Sequence, residues 1–264
     1  FETKNYIVKS NLPKNKKKLA DELLLKLEIM RSTFERFLPP RKPIEATSVV
    51  TILKDRQSYI DYVPKSVPRW SAGVWIPRMN ELSLFVGWSE TDAIQTVYHE
   101  AFHQYLHYLL KKSPSPSWFN EGHAGFVETV KISSSGKTMK ILEPESDLRR
   151  VINGIKNDSY NLEDFINWEH RKFYDNKDTG YPLSCCITYF LQKAGHLFPK
   201  QKYSDVCPRL MSQLMERKGW QEANNYAWEG IDFKQFQKDF KKFWASKSLR
   251  TRARKFKVVA KRKK

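Results

Sequence analysis

The chain has 264 residues, of which 40% are hydrophobic and 14% aromatic. This composition is sufficient for a complete core and excludes a disordered protein. The formal net charge of +18 favours an anionic partner, but more than half of the excess lies in residues 247–264, where ten residues are Lys or Arg and none is acidic. No RNA- or DNA-binding motif accompanies this run. We therefore expect a flexible basic tail that could contact a polyanion or an anionic surface.

No stretch approaches eighteen consecutive apolar residues, so the sequence predicts no transmembrane segment. No signal peptide is visible, but the chain begins at Phe1 rather than Met, which suggests that an N-terminal segment has been removed or omitted. Cys185, Cys186 and Cys207 do not form the framework of a disulfide-rich protein. We expect buried thiols, with one bridge to Cys207 as the alternative.

The first 88 residues are typical of an α/β layer. The predicted elements are strands 5–9 and 47–53, helices 16–37 and 55–62, and a hairpin of strands 72–76 and 81–86 around the turn 77–80. Within this hairpin, Gly73, Val74 and Trp75 are candidates for binding the backbone of an extended peptide. An ordinary strand of the sheet explains them equally well.

A long helix is predicted next, over residues 90–111, with Ser89 as its N-cap. Its apolar positions form one broad stripe, and His99 and His103 lie on the opposite side. Because these histidines are four residues apart, they share a face and could bind one metal ion. Glu100 lies about 60° round the helix from His103, which suits a base acting on a metal-bound water.

A catalytic zinc ion needs a third protein ligand. The metzincin pattern would place Gly at position 106 and His at position 109, but both residues are Leu, which excludes that class. Glu121 follows His103 after seventeen residues, enough for the end of one helix, a proline-containing turn and the start of a second helix. The small residues Gly122, Ala124 and Gly125 are expected to let this second helix approach the first closely.

These two segments together resemble the motifs of gluzincin zinc peptidases. The run His99-Glu-Ala-Phe-His-Gln104 is similar to their HExxH motif, and Trp118-Phe-Asn-Glu-Gly122 with Ala124 and Glu128 is similar to their W-x-x-E-G-x-A-x-x-x-E motif. The likeness is greatest to the small bacterial families of the peptidase MA-like group. Aminopeptidase N shares the Asn-Glu-Gly core at nearly the same spacing.

This resemblance implies one zinc ion per chain, held by His99, His103 and Glu121, and hydrolysis of a peptide bond with Glu100 as the general base. It also implies a tyrosine that stabilises the oxyanion, for which Tyr181 is the candidate. A core or capping role is the alternative for Tyr181, and Tyr174 and Tyr189 lie nearby in the sequence. Because related proteins are commonly exported, the resemblance further implies an extracytoplasmic enzyme.

Three further residues near the motifs leave alternatives open. At position 123 the family usually has an apolar residue, and we expect His123 to be a partly exposed histidine, with a group facing the substrate or metal as the alternative. His107 continues the His99 and His103 ladder by one turn and is expected at the rim of the site. Glu128 could orient a metal-ligating histidine, but a surface salt bridge is the simpler interpretation.

The segment after the second motif helix predicts a polar hairpin around Ser134-Ser-Gly136 and then mainly helices. The predicted helices are 147–155, 162–168, 181–194, 203–217, 220–228 and 233–244. We expect a zincin-like α+β fold, with a mixed sheet in the N-terminal layer, a helical C-terminal half and a cleft between them. The predicted domains are 1–88, 89–246 and the tail 247–264.

The sequence thus predicts a monomeric enzyme that hydrolyses peptide bonds. Two other functions compete with this prediction. The chain could be an inactive metal-binding scaffold, although an intact Glu100 favours activity. It could instead be a polyanion-binding module that acts through the basic tail. Within the peptidase hypothesis, the sequence does not distinguish an endopeptidase from an aminopeptidase, because no acidic anchor for a substrate amine can be assigned.

Overall fold

The structure is a computed structural model that describes residues 2–86, 89–111, 113–133, 136 and 138–256. Over these residues it is an α+β protein with a small mixed sheet and a helical C-terminal half, as predicted. The strands are β1 (Tyr6–Ser10), β2 (Ser48–Leu53), β3 (Gly73–Ile76), β4 (Glu81–Phe85), β5 (Val130–Ile132) and β6 (Met139–Ile141). The helices are α1 (Lys17–Phe37), α2 (Arg56–Tyr62), α3 (Glu90–Leu109), α4 (Ser117–Glu128), α5 (Glu145–Lys156), α6 (Leu162–Ile166), α7 (His170–Asp175), α8 (Lys177–Tyr189), α9 (Val206–Met215), α10 (Trp220–Trp228), α11 (Phe233–Ala245) and α12 (Lys247–Lys255).

One compact unit comprises residues 1–109 and 131–140 and contains the larger sheet. The strand order is β1-β2-β4-β3, in which β1, β2 and β4 are parallel and β3 is antiparallel to β4. The predicted hairpin of β3 and β4 is thus confirmed. Among the described strands only β4 pairs with β3, so β3 forms an edge of the sheet.

Helices α1 and α3 pack together within this unit. Leu23 and Leu27 of α1 are fully buried, as the apolar stripe predicts. The Phe34 ring lies 5.6 Å from the rings of both Phe102 and Tyr105 on α3. Because its apolar face packs here, α3 belongs to the unit that contains the sheet, whereas the sequence placed a boundary immediately before it.

The second compact unit comprises residues 110–130 and 141–264, and its described residues are mainly helical. Helix α4 packs closely along α8, and α9 packs against α10. Aromatic side chains fill much of this core: the Phe190 ring lies between 5.4 and 5.7 Å from the rings of five neighbours, including Tyr203, Phe236 and Phe240. Within this unit, helix α4 has a fixed position against α8.

The segment before α8 differs from the sequence prediction. The sequence predicts a helix over residues 181–194. The helix instead begins at Lys177 and contains Pro182 in its interior. It is preceded by α7, which the sequence did not indicate because its six residues are too few to establish a helical period.

The C-terminal basic segment begins with regular structure. Residues Lys247–Lys255 form α12, whose N-cap Ser246 accepts a hydrogen bond from the Leu249 amide at 3.2 Å. Glu143, with a side chain only 6% exposed, forms ion pairs with Arg250 at 3.1 Å and Arg254 at 3.4 Å. The prediction of a flexible arm from residue 247 is therefore wrong for α12, and residues 257–264 lie outside the described part of the chain.

Two smaller predictions concern the cysteines and the polar hairpin. Cys185, Cys186 and Cys207 are free and buried, as expected, and burial raises the pKa of each thiol, that of Cys207 to about 12. Strands β5 and β6 form the predicted hairpin, but Ser134 and Ser135 of its turn lie outside the described residues. In the described part of the chain, no helix has the length and apolarity needed to cross a membrane.

Candidate metal centre

Helix α3 presents His99 and His103 on one face. The helix starts where the sequence predicts, since the Ser89 hydroxyl oxygen accepts a hydrogen bond from the Asp92 amide at 3.1 Å. The opposite face is anchored by buried residues such as Ala101, which is fully buried. The two imidazole rings are half-buried, and their centroids are 4.7 Å apart. His99 and His103 therefore offer two potential nitrogen ligands from one face of the helix, one turn apart.

Glu121 of α4 completes the predicted group. One potential ligand atom from each of His99, His103 and Glu121 lies within 4.8 Å of the other two. No other group of three or more His, Cys, Asp or Glu side chains suited to a metal was found in the described ranges. Two imidazole nitrogens and a carboxylate oxygen match the donor set of the His₂Glu zinc enzymes, so these residues fit the metal that the resemblance implies.

Glu100, the predicted general base, is held by the edge strand of the sheet. Its Oε2 accepts a hydrogen bond from the Trp75 backbone N–H at 2.7 Å. The strand lies very close to α3, because a Cβ atom at Gly73 would come within 2.5 Å of the Thr96 methyl group. Gly73 thus permits the approach that brings the Trp75 amide to Glu100.

The same hydrogen bond bears on how β3 could bind a peptide. The Trp75 N–H points away from β4, and by the alternation of an antiparallel pair the backbone of Gly73 faces the same edge. The Trp75 donor is therefore already used by Glu100. Binding of a peptide backbone along β3 stays a prediction, but the Trp75 N–H is not available as a donor to the peptide while it is bonded to Glu100.

Helix α4 is fixed by the residues that flank Glu121. The Trp118 indole N–H donates to Asn224 Oδ1 at 3.0 Å, and the Asn224 amide donates to the Ile166 carbonyl oxygen and to Asn167 Oδ1. Asn224 is only 1% exposed, so its amide group depends on these protein partners for its hydrogen bonds. The tryptophan of the second motif therefore ties the first turn of α4 to α10.

The small residues of α4 have a different partner from the one predicted. A Cβ atom at Gly122 would lie 2.4 Å from Thr188 Oγ1 and 2.7 Å from the Ser184 carbonyl oxygen, and one at Gly125 would lie 3.2 Å from Cys185. These three neighbours belong to α8. The prediction that the glycines face α3 is therefore wrong, because the sequence does not show which helix a small residue packs against.

Tyr174 of α7 makes the polar contact at Glu121 that the sequence did not predict. Its hydroxyl group donates to Glu121 Oε1 at 2.5 Å. Tyr181, the predicted oxyanion donor, is half-buried on α8, and its ring centroid lies 6.1 Å from that of Tyr174. The sequence did not indicate Tyr174 as a site residue, because it lies on α7, which is too short to produce a helical period.

His123 is buried rather than partly exposed, which corrects the expectation. Its side chain is only 1% exposed, Nδ1 donates to the Phe119 carbonyl oxygen at 2.9 Å, and Nε2 lies 3.1 Å from the Gln192 amide nitrogen. Burial lowers the pKa of His123 to about 4. His123 is thus a neutral core histidine that joins α4 to the segment after α8.

His107 and Glu128 occupy the surroundings of the motif helices. His107 is half-buried, and its ring packs edge-on against Trp75 with 5.6 Å between centroids. Glu128 is also half-buried, near Cys185, whose thiol pKa is raised chiefly by burial and further by Asp147 and Glu128. The structure places neither residue in the group of three metal-binding candidates.

Comparison with known proteins does not assign the chain to a family. No protein-family model matches the sequence, and no curated protein matches it. A functional hypothesis must therefore come from the motif residues and their arrangement.

Proposed function

We propose that the protein is a zinc-dependent peptidase of the gluzincin type that hydrolyses peptide bonds in peptides or proteins. The observation that carries this proposal is the convergence of His99, His103 and Glu121, with Glu100 adjacent to His99 in the sequence. A zincin-like fold with a substrate cleft and an extracytoplasmic location belong to the same proposal.

Zinc is the metal best supported by the chemistry of the site. Two histidines and one carboxylate also occur in non-haem iron oxygenases, so the donor set alone does not decide. Glu100, one residue from a ligand, favours hydrolysis, because an oxygenase has no need of a general base at that position. When bound, zinc would lower the pKa of a water molecule towards about 7 and polarise the substrate carbonyl group.

Within this proposal the protein residues move the proton and orient the reacting groups. Glu100 accepts a proton from the attacking water and passes it to the leaving amine. The Trp75 N–H holds the Glu100 carboxylate in place, so the base needs little reorganisation during the reaction. Tyr181 stays a candidate oxyanion donor, since a phenol can donate to the charge that develops on the carbonyl oxygen.

The test is a peptide-library cleavage assay on zinc-loaded wild-type protein and the Glu100→Gln variant. We expect the wild type to cleave and the variant to be nearly inactive. Failure of both proteins to cleave any peptide, with zinc bound, would contradict hydrolysis and favour an inactive metal-binding scaffold. Analysis of the cleavage products would also distinguish internal cleavage from removal of N-terminal residues.

A second candidate function is supported by the charge of α12. This helix contains five Lys and Arg residues in nine and no acidic residue. Arg250 and Arg254 pair with Glu143, whereas Lys247, Arg252 and Lys255 are exposed. The helix thus presents a cationic surface that suits a polyanion, through electrostatic contacts that weaken with salt.

Neutralising Lys247, Arg252 and Lys255 to Gln tests this second function without breaking the ion pairs at Glu143. We expect binding to inorganic polyphosphate to weaken and its dependence on salt concentration to become less steep, because fewer counterions are released. The matched control neutralises Lys14, Lys16 and Lys17, which are also exposed but lie before and at the start of α1. Equal weakening in both triple variants would contradict a specific role for α12.

A further inference from the structure

A tyrosine that the proposed reaction does not use contacts the proposed metal ligand Glu121. Tyr174 Oη donates to Glu121 Oε1 at 2.5 Å. Glu121 is only 4% exposed, and Tyr174 is half-buried. The Tyr174 hydroxyl group is therefore placed to donate a hydrogen bond to the Glu121 carboxylate.

The phenol ring is held by its neighbours. The centroid of the Tyr174 ring lies 4.5 Å from that of His170, 5.4 Å from that of Phe173 and 6.1 Å from that of Tyr181. Phe173 is fully buried and fixes α7 to the helical core. Since both the ring and the helix are restrained, the hydroxyl group is directed to Glu121 at a small cost in conformational entropy.

The hydrogen bond affects Glu121 in two ways. It satisfies one carboxylate oxygen in a place where water has little access, which offsets part of the cost of burying the charge. It also restricts rotation of the carboxylate group, so the orientation of the other oxygen is set as well. Partners that orient a metal ligand in this manner commonly contribute about 10- to 100-fold to metal affinity.

We propose that Tyr174 is a positioning residue that orients Glu121 for metal binding, an inference that rests on the proposed function. Tyr174 differs in this role from an oxyanion donor. An oxyanion donor acts only during the reaction and does not affect the affinity of the resting protein for zinc. A positioning residue changes zinc affinity in the absence of substrate, and it does so through Glu121.

The experiment measures the dissociation constant for zinc by competition with a chelator. The proteins are the wild type, Tyr174→Phe, Glu121→Gln, the double variant and His103→Ala. Tyr226→Phe is the matched control, because Tyr226 is an exposed tyrosine on α10 whose ring packs under Arg209. Chemical unfolding of each metal-free protein shows whether the fold is retained.

We expect Tyr174→Phe to bind zinc about 10- to 100-fold more weakly than the wild type. Because the buried Glu121 carboxylate loses a hydrogen bond, the metal-free variant should unfold at a somewhat lower denaturant concentration than the wild type but stay folded under the conditions of the zinc titration. Tyr226→Phe should bind zinc as the wild type does. In the Glu121→Gln background, the Tyr174→Phe change should cause little additional loss, because Tyr174 acts through the carboxylate.

Unchanged zinc affinity in Tyr174→Phe, with affinity lost in His103→Ala, would overturn this inference and leave the proposed function intact. An equal loss of affinity in the presence and absence of the Glu121 carboxylate would also overturn it. Unfolding of metal-free Tyr174→Phe would make Tyr174 a structural residue and contradict its role as a positioning group. If the wild type bound no zinc, or bound it independently of His103, the result would contradict the proposed function itself, and with it the role of Tyr174.

Discussion

Glu100→Gln should retain zinc and lose about 10²- to 10⁴-fold in turnover, because the substitution removes a general base and no metal ligand. The glutamine oxygen can still accept the hydrogen bond from the Trp75 amide, so the local structure should persist. The side chain can no longer take a proton from the attacking water. The measurement compares kcat on the best peptide from the library, with the zinc content of each sample determined in parallel.

A suitable control for this substitution is Glu22→Gln on α1. Glu22 is exposed and forms an ion pair with Lys26 at 2.5 Å, a contact of the kind that contributes little to stability. Its loss should leave both zinc content and kcat unchanged. Full activity in Glu100→Gln would exclude Glu100 from the reaction, whereas loss of zinc from that variant would make its activity uninformative about proton transfer.

Gly122→Ala should destabilise the protein by about 2 kcal/mol, although alanine is the better helix former by about 1 kcal/mol. The added methyl group would lie 2.4 Å from Thr188 Oγ1 and 2.7 Å from the Ser184 carbonyl oxygen. The carbonyl oxygen belongs to the backbone of α8 and cannot rotate away. Helix α4 must therefore shift, and because Glu121 is the preceding residue we also expect weaker zinc binding.

Gly219→Ala provides the comparison, since no atom lies within 4 Å of a Cβ at this position and its φ of −55° suits any residue. Gly219 is the N-cap residue of α10, and its replacement by alanine should lower the free energy of unfolding by less than about 1 kcal/mol. Thermal unfolding of the metal-free proteins gives the difference directly. Equal or greater stability of Gly122→Ala would show that α4 and α8 are not in tight contact at Gly122.

The parts of the site that the sequence predicted are those set by local pattern. The position of α3 follows from its apolar period and from Ser89, whose cap is present at the predicted place. The spacing of His99 and His103 then fixes their common face, since a helix repeats every ~3.6 residues. The hairpin of β3 and β4 was also predicted, but the position of β3 at the edge of the sheet was not, because the pattern of one strand does not specify its pairing partners.

The parts that the sequence missed depend on contacts between distant segments. Tyr174 reaches Glu121 from a helix of six residues, too short to produce a periodic signal. Gly122 has the small size that we expected to matter, but its neighbour is α8. His123 appeared polar and partly exposed, yet Phe119 and Gln192 satisfy its ring nitrogens within the core.

The measurement that tests the central proposal most directly is the zinc content of dialysed protein after reconstitution. We expect about one zinc ion per chain in the wild type and a sharp fall in both His103→Ala and Glu121→Ala, because each removes one of three protein ligands. His107→Ala, on the same helix one turn further, should retain the metal, since His107 packs against Trp75. A wild type that binds no zinc, or that binds it equally well without His103 and Glu121, would contradict the proposed metal centre.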